Sequence, residues 1–451
     1  MSSEKPACLV LRDKVPTGWD VCLLQDVTDF QEGPGILAKD FHESGVPLLR
    51  LRNIETSTVK LDGCNYLDPK KVATKWAHFA LRENDLLIST SASLGRVSVV
   101  DLYSAGAIAY TGIIRFRSSD STRLDRGYLR AFLSSAAFVE QAEQMATGSV
   151  IRHFGPSHLK QMAISLPSLS EQRQIAGISD AIEHRIALLR ETNTTLEAIA
   201  QTLFKSWFVD FDPVYARARG EQPAGLAPEV AALFPDSFEE SDLGMVPKGW
   251  RAGVFRDVCI RIESGGTPKR SVPEYWGGDV SWLSSGEVRS DIVFDTKETI
   301  TDLGVKQSSA KLWPQGTTVV AMYGATAGEV CLLARPTTAN QACCGLIPKP
   351  QARAFMFMCA RRERAALASK SSGSAQQNLN KGLIESHPLV LPPIELLSTY
   401  EESAGALLDC WIANDHQAQT LASLRDTLLP RLISGQLRLP DAEQQLKDLA
   451  V

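Results

Sequence analysis

Two stretches in the second half of the chain carry cationic, amide and aromatic side chains of the kinds that bind nucleic acid. One is the glycine-punctuated loop GGTPKRSVPEYWGGD (265–279), and the other is SSGSAQQNLNKG (371–382), which has no apolar pattern. Asn and Gln pair bidentately with adenine in the major groove, and Arg and Lys pair with guanine. An ordinary surface loop with an aromatic anchor is the alternative for 265–279. The candidate DNA contacts in this half are Lys269, Arg270, Tyr275, Trp276, Ser284, Ser285, Tyr323, Gln376, Gln377, Asn378 and Lys381.

The first half offers a smaller set of similar residues. They lie at the end of the predicted strand 46–54, after the first strand of the predicted pair at 85–100, or in the segment GSVIRHFG (148–155). Loops at strand ends commonly carry binding residues, because the strands beneath hold them in place. The candidate DNA contacts in this half are Arg50, Arg52, Asn53, Ser89, Thr90, Ser91, Arg152 and His153.

Motifs for catalysis are missing. The sequence contains no G-x-x-x-x-G-K-[ST] phosphate loop, no glycine-rich cofactor loop after a strand, and no motif for amino-methyl transfer. No Cys/His spacing resembles a zinc site. Asp291 with Asp295 and Lys297 is the nearest approach to a metal-nuclease pattern, and such combinations are common by chance. The chain is therefore predicted to bind rather than catalyse, without a metal or cofactor of its own.

Charge is distributed unevenly along the chain. The whole sequence has a formal net charge of −5, but residues 246–392 carry 18 Lys+Arg against 12 Asp+Glu. Residues 209–245 carry 2 against 8, and residues 393–451 carry 4 against 9. A basic segment between acidic ones is compatible with a nucleic-acid partner. Scattered cysteines, the lack of a signal-like N-terminus and the lack of a long apolar run predict a cytoplasmic protein without a membrane anchor.

An internal duplication organises the chain. VPTGW (15–19) is echoed by VPKGW (246–250), and Leu166-Pro167 by Leu391-Pro392. Each pentapeptide opens a β-rich stretch that leads into a long helix. In the second copy 280–288 takes the place of 46–54, and Gly328 and Gly345 are matched to Gly95 and Gly112. One helix is expected in each copy before the long helix, at 128–146 and at 354–369.

The two long helices show sustained heptads. Apolar residues every seven positions favour a coiled-coil seam, and Asn414 is a polar seam residue of the kind that fixes register. Ile178, Ile199 and Leu424 are expected at the intervening positions. The heptads alone are compatible with an antiparallel or a parallel pair, and two helices packed separately on their own domains are the alternative. The predicted seam residues are Ile175, Ile182, Leu189, Leu196, Leu203, Tyr400, Leu407, Asn414, Leu421 and Leu428.

These elements predict an α+β fold with a pseudo-two-fold internal repeat. Two similar β-rich domains are separated by a two-helix coiled coil. The linker is expected to be irregular. The predicted segments are a first β-rich domain (1–168), a first helix (169–208), a linker (209–245), a second β-rich domain (246–392), a second helix (393–435) and a tail (436–451).

The sequence resembles the specificity subunits of type I restriction–modification systems over roughly residues 15–438. The resemblance rests on LPSLSEQRQIAGISDAIEHRI, the helix end SWFVDFDPV, SGGTPKRSVPEYWGGDVSWLSSGEV, SGSAQQNLNKGLIESHPLVLPP and TLLPRLISGQLRL. It implies that the two β-rich domains are target-recognition domains, each of which reads half of a bipartite, asymmetric target in double-stranded DNA. It also implies that the two helices form an antiparallel coiled coil that sets the spacing. Two methyltransferase subunits and restriction (motor) subunits would assemble on the chain. S-adenosylmethionine, ATP and Mg would belong to those partners.

Two departures from the family pattern stand out. The first copy has FQEGPGILAKDFHESG (30–45) in place of the GGTP…YW loop, and the second helix begins PPIELLSTYEE, without the Glu-Gln pair of the first. The first departure fits two domains that read different half-sites. A protein-binding scaffold without DNA specificity, and a self-contained nuclease or methyltransferase, remain as alternatives.

Overall fold

The structure is a computed structural model that describes residues 15–54, 57–90, 96–145, 154–372 and 379–448. The chain forms two compact units, unit 1 from residues 1–188 and 418–451, and unit 2 from residues 189–417. Each unit contains β-sheets, short helices and part of both long helices. No helix within the described residues is both long and apolar enough to cross a membrane.

Unit 1 is built on two small sheets. The four-stranded sheet has the spatial order Thr28–Glu32, Ile113–Ser118, Leu86–Ser89, Val97–Val99, with antiparallel neighbours. The three-stranded sheet has the order Asn65–Leu67, Val46–Leu49, Ile108–Ala109. Asp20–Leu23 pairs separately with Ala163–Leu166. The short helices of this unit include Pro69–Lys71, the π-turn Val72–Trp76, Arg126–Leu133, Ala136–Met145 and Pro156–Leu159.

Unit 2 repeats this plan with one more strand. Its five-stranded sheet has the order Cys259–Ser264, Cys343–Pro348, Thr318–Ala321, Val330–Leu333, Ile292–Val293, and its three-stranded sheet the order Glu298–Ile300, Trp276–Leu283, Thr338–Ala339. Arg251–Val254 pairs with Pro388–Leu391. The short helices include Phe255–Val258, Asp302–Lys306, Arg353–Arg362, Arg364–Ser372 and Lys381–Glu385.

The inner strands of each main sheet, Leu86–Ser89 in unit 1 and Thr318–Ala321 and Val330–Leu333 in unit 2, are buried on both faces and therefore are not patterned by alternation. In unit 1, Ile88 and Phe116 face the helices, while Leu87 faces the smaller sheet. The core between the two sheets is repeated almost position by position in unit 2. The paired core residues are Leu49 and Leu283, Ile54 and Val288, Val59 and Val293, Leu81 and Trp313, Leu87 and Val319, Val100 and Leu333, and Ile113 and Cys343.

Strand register corrects one predicted match. Arg115 lies opposite Leu87, and Gly345 lies opposite Val319, so Gly345 corresponds to Arg115 and not to Gly112. A Cβ at position 345 would lie 2.6 Å from the Trp313 ring. Trp313 therefore occupies in unit 2 the core position that the smaller Leu81 has in unit 1. Only glycine fits at position 345, beside the Trp313 ring. The sequence match paired Gly345 with Gly112, which lies three residues before Arg115. Without the strand pairing, the sequence offered no way to choose between these two positions.

We predict that Gly345→Ala costs about 1–3 kcal/mol in the free energy of unfolding, because it overpacks the core against Trp313. Trp313→Leu should make room, so the double variant should be less destabilised than the sum of the two single variants, with a coupling of about 0.5–3 kcal/mol. Denaturant unfolding of the full chain measures these changes. Gly286→Ala is the control, since nothing lies within 4 Å of its Cβ position. Additive effects of the two core substitutions would contradict the packing account.

Each predicted helix before the long helix is in fact two. The helices Arg126–Leu133 and Ala136–Met145 stand in place of the one expected at 128–146, and Arg353–Arg362 and Arg364–Ser372 in place of the one expected at 354–369. In unit 1 the buried Gln172 holds this layer to the start of the long helix, with hydrogen bonds to Asp125 N, Arg123 O and Pro167 O at 2.8–2.9 Å. Its counterpart in unit 2 is Leu397, part of the apolar core, which explains the missing Glu-Gln pair.

The long helices run antiparallel within each unit. The first spans Leu169–Phe208, and the second consists of Ile394–Tyr400, a π-turn at Glu401–Gly405, and Ala406–Ile433. In unit 1 Glu183 pairs with Arg425, and the backbone of Ile433 accepts from Ser165. In unit 2 Asn193 contacts Asn414, and Ala200 O accepts from Tyr400 Oη. Of the predicted seam residues, Ile175, Ile182, Leu189, Tyr400, Leu421 and Leu428 are buried, and Leu196, Leu203, Leu407 and Asn414 are partly buried.

The intervening seam positions are not those predicted. They lie four residues after the first set rather than three, and Ile199 is 48% exposed. Ile178 and Leu424 are partly buried and pack against the edge of the unit 1 core. The actual positions carry mixed residue types, which weakened the sequence signal. They are Ser179, Ile186, Asn193, Ala200 and Trp207 on the first helix, and Ala404, Trp411, Ala418, Arg425 and Leu432 on the second.

A π-turn interrupts the second helix where it meets the sheet layer of unit 2. Arg353 holds this turn: its Nε donates to Glu401 Oε1 at 2.9 Å, and its Nη2 to Gly405 O at 3.2 Å. Its Nη1 donates to Asp409 Oδ1 at 2.6 Å. Widened turns of this kind expose carbonyl groups that need other donors. The heptad pattern does not indicate this interruption, and the last segment of the helix ends at Ile433.

The linker is more regular than predicted. It contains the helices Asp212–Ala218 and Pro228–Ala231 and the hairpin Phe238–Ser241 with Gly244–Pro247. Val214, Phe234 and Trp250 bury its inner side in the unit 2 core. In unit 1 the C-terminal helix Leu439–Asp448 follows the second long helix and places Ala442 in the core.

Candidate nucleic-acid interface

One edge of the main sheet in unit 2 gathers several loops. Cys259–Ser264 and Thr318–Ala321 both run antiparallel to Cys343–Pro348, so both end at the edge where that strand begins. Gly265 N donates to Cys343 O at 3.0 Å, and Met322 N to Ala342 O at 2.7 Å. Asn340 N donates to Leu283 O at 2.9 Å, which brings the end of the smaller sheet to the same edge. The strand-end surface of unit 2 consists of the loops 265–275, 284–290, 322–329 and 340–342.

Several sequence-predicted residues meet on this surface. Tyr323 is 38% exposed at the start of its loop, and Lys269 is exposed. The hydroxyl of Ser284 already has a partner within the protein, since its Oγ donates to Glu287 Oε2 at 2.6 Å. Ser285 is partly buried. Gln376, Gln377 and Asn378 lie outside the described residues. Leu379 N donates to Met322 O at 3.0 Å, and Lys381 pairs with Glu385 at 3.1 Å.

Arg270 is held in an aromatic and acidic surround. Its guanidinium lies 3.7 Å from the centre of the Trp276 ring and 5.0 Å from that of Trp282. Both terminal nitrogens donate to the carboxylate of Glu298, with Nη2 at 2.8 Å from Oε2. Trp276 Nε1 in turn donates to Lys269 O at 3.3 Å, and Tyr275 Oη to Gln307 Oε1 at 2.9 Å. The four predicted loop residues thus lie together, but Arg270 and Tyr275 already have protein partners.

The same edge exists in unit 1. Thr28–Glu32 and Leu86–Ser89 end beside the start of Ile113–Ser118, and Tyr110 N donates to Leu49 O at 2.9 Å. The strand-end surface of unit 1 consists of residues 33–36, 50–53, 90 and 110–112. Arg50 is exposed there, with its guanidinium 5.6 Å from the centre of the Tyr110 ring and 5.9 Å from that of Phe41.

Glycine is required at one matched position of each edge. A Cβ on Gly33 would lie 2.0 Å from Ala109 O, and one on Gly265 would lie 2.2 Å from Asn340 O. Since backbone cannot yield at such distances, only glycine lets the strand turn this closely over its neighbour. The matched glycines show that the two edges share one backbone design, although the loops that follow differ in sequence.

Other predicted residues of unit 1 have structural roles. Asn53 is only 1% exposed; its Nδ2 donates to Lys60 O at 2.9 Å and to Asp62 O at 3.0 Å, and its Oδ1 accepts from Arg50 N. This leaves it no group to read a base. Arg52 is exposed but donates to Gly63 O. Ser89 is buried, and Thr90 Oγ1 donates to Gly112 O at 3.2 Å. Ser91, Arg152 and His153 lie outside the described residues.

Two further residues on the unit 2 surface were not singled out from the sequence. Gln341 is exposed and accepts from Thr267 Oγ1, and Asn340 Oδ1 caps the same turn at 3.0 Å from Ala342 N. Their position between two predicted strands, in ANQACCG, was the signal that could have found them. Exposed cations surround this surface: Lys269, Arg270, Arg289 and Lys306.

The carboxylates that suggested a metal-nuclease pattern have other partners. Asp291 Oδ1 accepts from Arg361 Nη1 at 2.7 Å, and Asp295 pairs with Arg335 at 2.6 Å. No cluster of His, Cys, Asp or Glu within the described ranges could hold a metal ion. Burial raises the pKa of the Cys259 and Cys344 thiols to about 12, so they stay protonated.

Comparison with known proteins identifies the family. Residues 16–198 and 247–396 match the family described as the type I restriction modification DNA specificity domain. The type I restriction enzyme HindI specificity subunit of Haemophilus influenzae is 27% identical over 322 residues, covering 62% of this chain and 70% of that protein. The MjaIX specificity subunit of Methanocaldococcus jannaschii is 22% identical over 437 residues, covering 95% of each protein.

A solved structure shows the same fold. The type I restriction-modification system S subunit from M. genitalium aligns with a TM-score of 0.59 at 14% identity, covering 93% of this chain and 97% of that chain. The two matched segments correspond to the two copies found by the internal repeat, and together they span more than half of the sequence. The chain therefore belongs to the type I restriction–modification specificity family, whose members are the non-catalytic DNA-recognition subunits of these systems.

Proposed function

We propose that this chain recognises a bipartite, asymmetric target in double-stranded DNA, with one strand-end surface reading each half. The observation that supports this most is the repetition of one edge design with different loops. Gly33 and Gly265 shape matching turns, yet an arginine between Phe41 and Tyr110 stands in unit 1, and Arg270 between two tryptophans stands in unit 2. Shared backbone with different side chains is what two readers of different sequences require.

The chemistry of these surfaces fits duplex DNA. Exposed arginine and lysine contact phosphates or guanine, and amides such as that of Gln341 pair with adenine. Aromatic rings beside the cations limit how far those side chains can move, which favours defined contacts over loose attraction. Base contacts would come from the loops and phosphate contacts from the cations around them.

The same proposal assigns partners. Two methyltransferase subunits and the restriction subunits would assemble on the chain, and S-adenosylmethionine, ATP and Mg would be bound by those partners. The finer assignment rests on the family, together with the acidic linker and tail, which suit protein contacts better than DNA contacts. A cytoplasmic location follows from this role, and the lack of any disulfide within the described residues fits it.

Methylation mapping tests the proposed function. The chain is expressed with its methyltransferase subunit, and modified adenines or cytosines are mapped across the host genome. The expected result is one two-part motif with a non-specific spacer. Footprinting of the purified complex should then protect both halves. A scaffold would give no sequence-dependent protection and little salt dependence. Methyl transfer by this chain alone would indicate a self-contained enzyme.

We predict that Lys269→Ala weakens binding to target and scrambled duplexes alike. Lys269 is exposed beside the loop that carries Arg270, and its backbone rather than its side chain holds Trp276. A lost phosphate contact should make the plot of log binding constant against log salt concentration less steep by about 0.9. Titration of the complex at several salt concentrations measures this slope. Lys349→Ala is the control, because Lys349 Nζ donates to Asp257 O, away from this surface.

A further inference from the structure

We propose that Glu298 is a specificity-determining residue that keeps Arg270 from binding the phosphates of non-target DNA. The inference rests on the proposed DNA-reading function of the unit 2 surface. Glu298 acts as an internal competitor for the guanidinium, so DNA gains this contact only where the target supplies enough free energy to displace it.

The geometry of the pair carries the proposal. Nη1 of Arg270 donates to Oε1 of Glu298, and Nη2 donates to Oε2 at 2.8 Å. These two terminal nitrogens form the fork that binds a guanine edge or a phosphate bidentately. A carboxylate that merely braced an arginine for base reading would approach from the Nε side and leave the fork open. Here the fork itself is occupied.

The aromatic side chains fix the guanidinium in this position. Trp276 covers it at 3.7 Å and Trp282 approaches at 5.0 Å, with the two indole rings nearly perpendicular. Trp282 is buried, and its Nε1 donates to Gly266 O at 3.1 Å, which anchors it to the loop. To bind a DNA phosphate, Arg270 must therefore first lose its contacts with the two indole rings or its hydrogen bonds to Glu298.

The pair is nevertheless accessible to DNA. The side chain of Arg270 is 55% exposed and that of Glu298 is 43% exposed. Glu298 lies opposite Trp282 in the strand ladder, so it shares the face that meets the loop 265–275. The hydrogen bond from Arg270 lowers the pKa of Glu298, so the carboxylate stays charged near neutral pH. Exposed pairs in water are weak enough to exchange partners.

Glu298→Gln tests the proposal in the full chain with its methyltransferase partner. The probes are a duplex with the mapped methylation site and a scrambled duplex of equal length and composition. The non-target complex should gain a phosphate contact that the wild type lacks. Its affinity should rise about five- to tenfold, with a salt slope steeper by about 0.9. The affinity for the target should rise less, so the ratio of the two affinities falls.

Glu274→Gln is the matched control. It removes the same charge from an exposed residue of the same loop region, so it reports the general effect of one less negative charge. The double variant Glu298→Gln, Arg270→Gln should lose the gain in non-target affinity, because the released cation is gone. Tryptophan fluorescence of each variant checks that Trp276 and Trp282 keep their surroundings.

The opposing results are distinct. Equal salt slopes for Glu298→Gln and Glu274→Gln would overturn the proposal. Weaker binding of Glu298→Gln to the target, with no gain on scrambled DNA, would overturn it too, since that is the behaviour of a brace. Failure of the wild-type complex to prefer its mapped site would instead overturn the proposed function, before any variant is compared.

Discussion

Deletion of one heptad from each long helix, residues 182–188 and 420–426, is expected to shorten the spacer of the DNA target by about three base pairs. Seven helical residues span about 10 Å, and DNA rises about 3.4 Å per base pair. The two segments face each other in unit 1, because Glu183 pairs with Arg425. Removing them together preserves the heptad register and leaves neither charge behind. Methylation mapping of the variant with its methyltransferase partner measures the spacer.

A length-preserving variant separates helix length from loss of the ion pair. Glu183→Ala with Arg425→Ala removes the same half-buried contact and should leave the spacer unchanged. An unaltered spacer after the heptad deletion, in a complex that still methylates DNA, would show that the helices do not set the spacing. A change of the bases in either half-site would point instead to altered recognition surfaces.

Substitution of Arg361 by alanine is expected to be the most destabilising single change among the ion pairs of unit 2. Only 11% of its side chain is exposed, and its Nη1 donates to Asp291 Oδ1 at 2.7 Å while Nη2 donates to Glu197. Its guanidinium also lies 5.4 Å from the centres of the Phe357 and Trp411 rings. The loss leaves Glu197 partly buried without this partner and opens a gap beside two rings.

The expected cost is about 3 kcal/mol in the free energy of unfolding, at the lower end for a broken buried pair. Asp291 is 41% exposed and keeps Arg364 nearby at 3.5 Å, which limits the loss. Arg362→Ala is the control, because Arg362 is 52% exposed and its ion pair within the described residues is with its sequence neighbour Glu363. That variant should lose less than about 1 kcal/mol. Unfolding of the full chain in guanidinium chloride measures the stability of both variants. Similar losses of unfolding free energy for Arg361→Ala and Arg362→Ala would contradict a central role for Arg361.

The sequence made the duplication and the helices predictable because their signals are long. The heptads of Ile182, Leu189 and Leu421 extend over many turns, and the VPTGW and VPKGW segments mark the same place in each copy. The first long helix, Leu169–Phe208, has the bounds expected from the pattern. Long periodic patterns of this kind are the most reliable sequence signals of secondary structure, because the same apolar residues also make the tertiary contacts.

Shorter features could not be predicted in the same way. The second seam position was misplaced, because Asn193, Ala200 and Trp411 share no common residue type there. The π-turn at Glu401–Gly405 depends on Arg353, which lies 48 residues earlier than Glu401 and whose role no local pattern signals.

The sequence indicated which residues of the second-half loop lie together, but not which candidate residues already have hydrogen-bond partners within the protein. Lys269, Arg270, Tyr275 and Trp276 do lie together at one sheet edge, as a glycine-rich loop of polar residues suggested. Asn53 looked like a base reader because its amide follows a strand, but its amide groups are used to hold residues 60–62. The contact between Glu298 and Arg270 could not be predicted from the sequence, because Glu298 reaches this loop only through the strand pairing that places it opposite Trp282.

The composition of unit 1 from the two ends of the chain has a consequence for biosynthesis. Its core places Leu428, Leu432 and Ile433 beside Ile175 and Leu166, residues separated by the whole of unit 2. A ribosome adds about 5–20 residues per second, so this apolar groove stays uncovered on the nascent chain for on the order of tens of seconds. Unit 2 is contiguous and can mature first. We therefore expect residues 1–188 to need protection from aggregation during translation, and truncated messages should yield aggregating products.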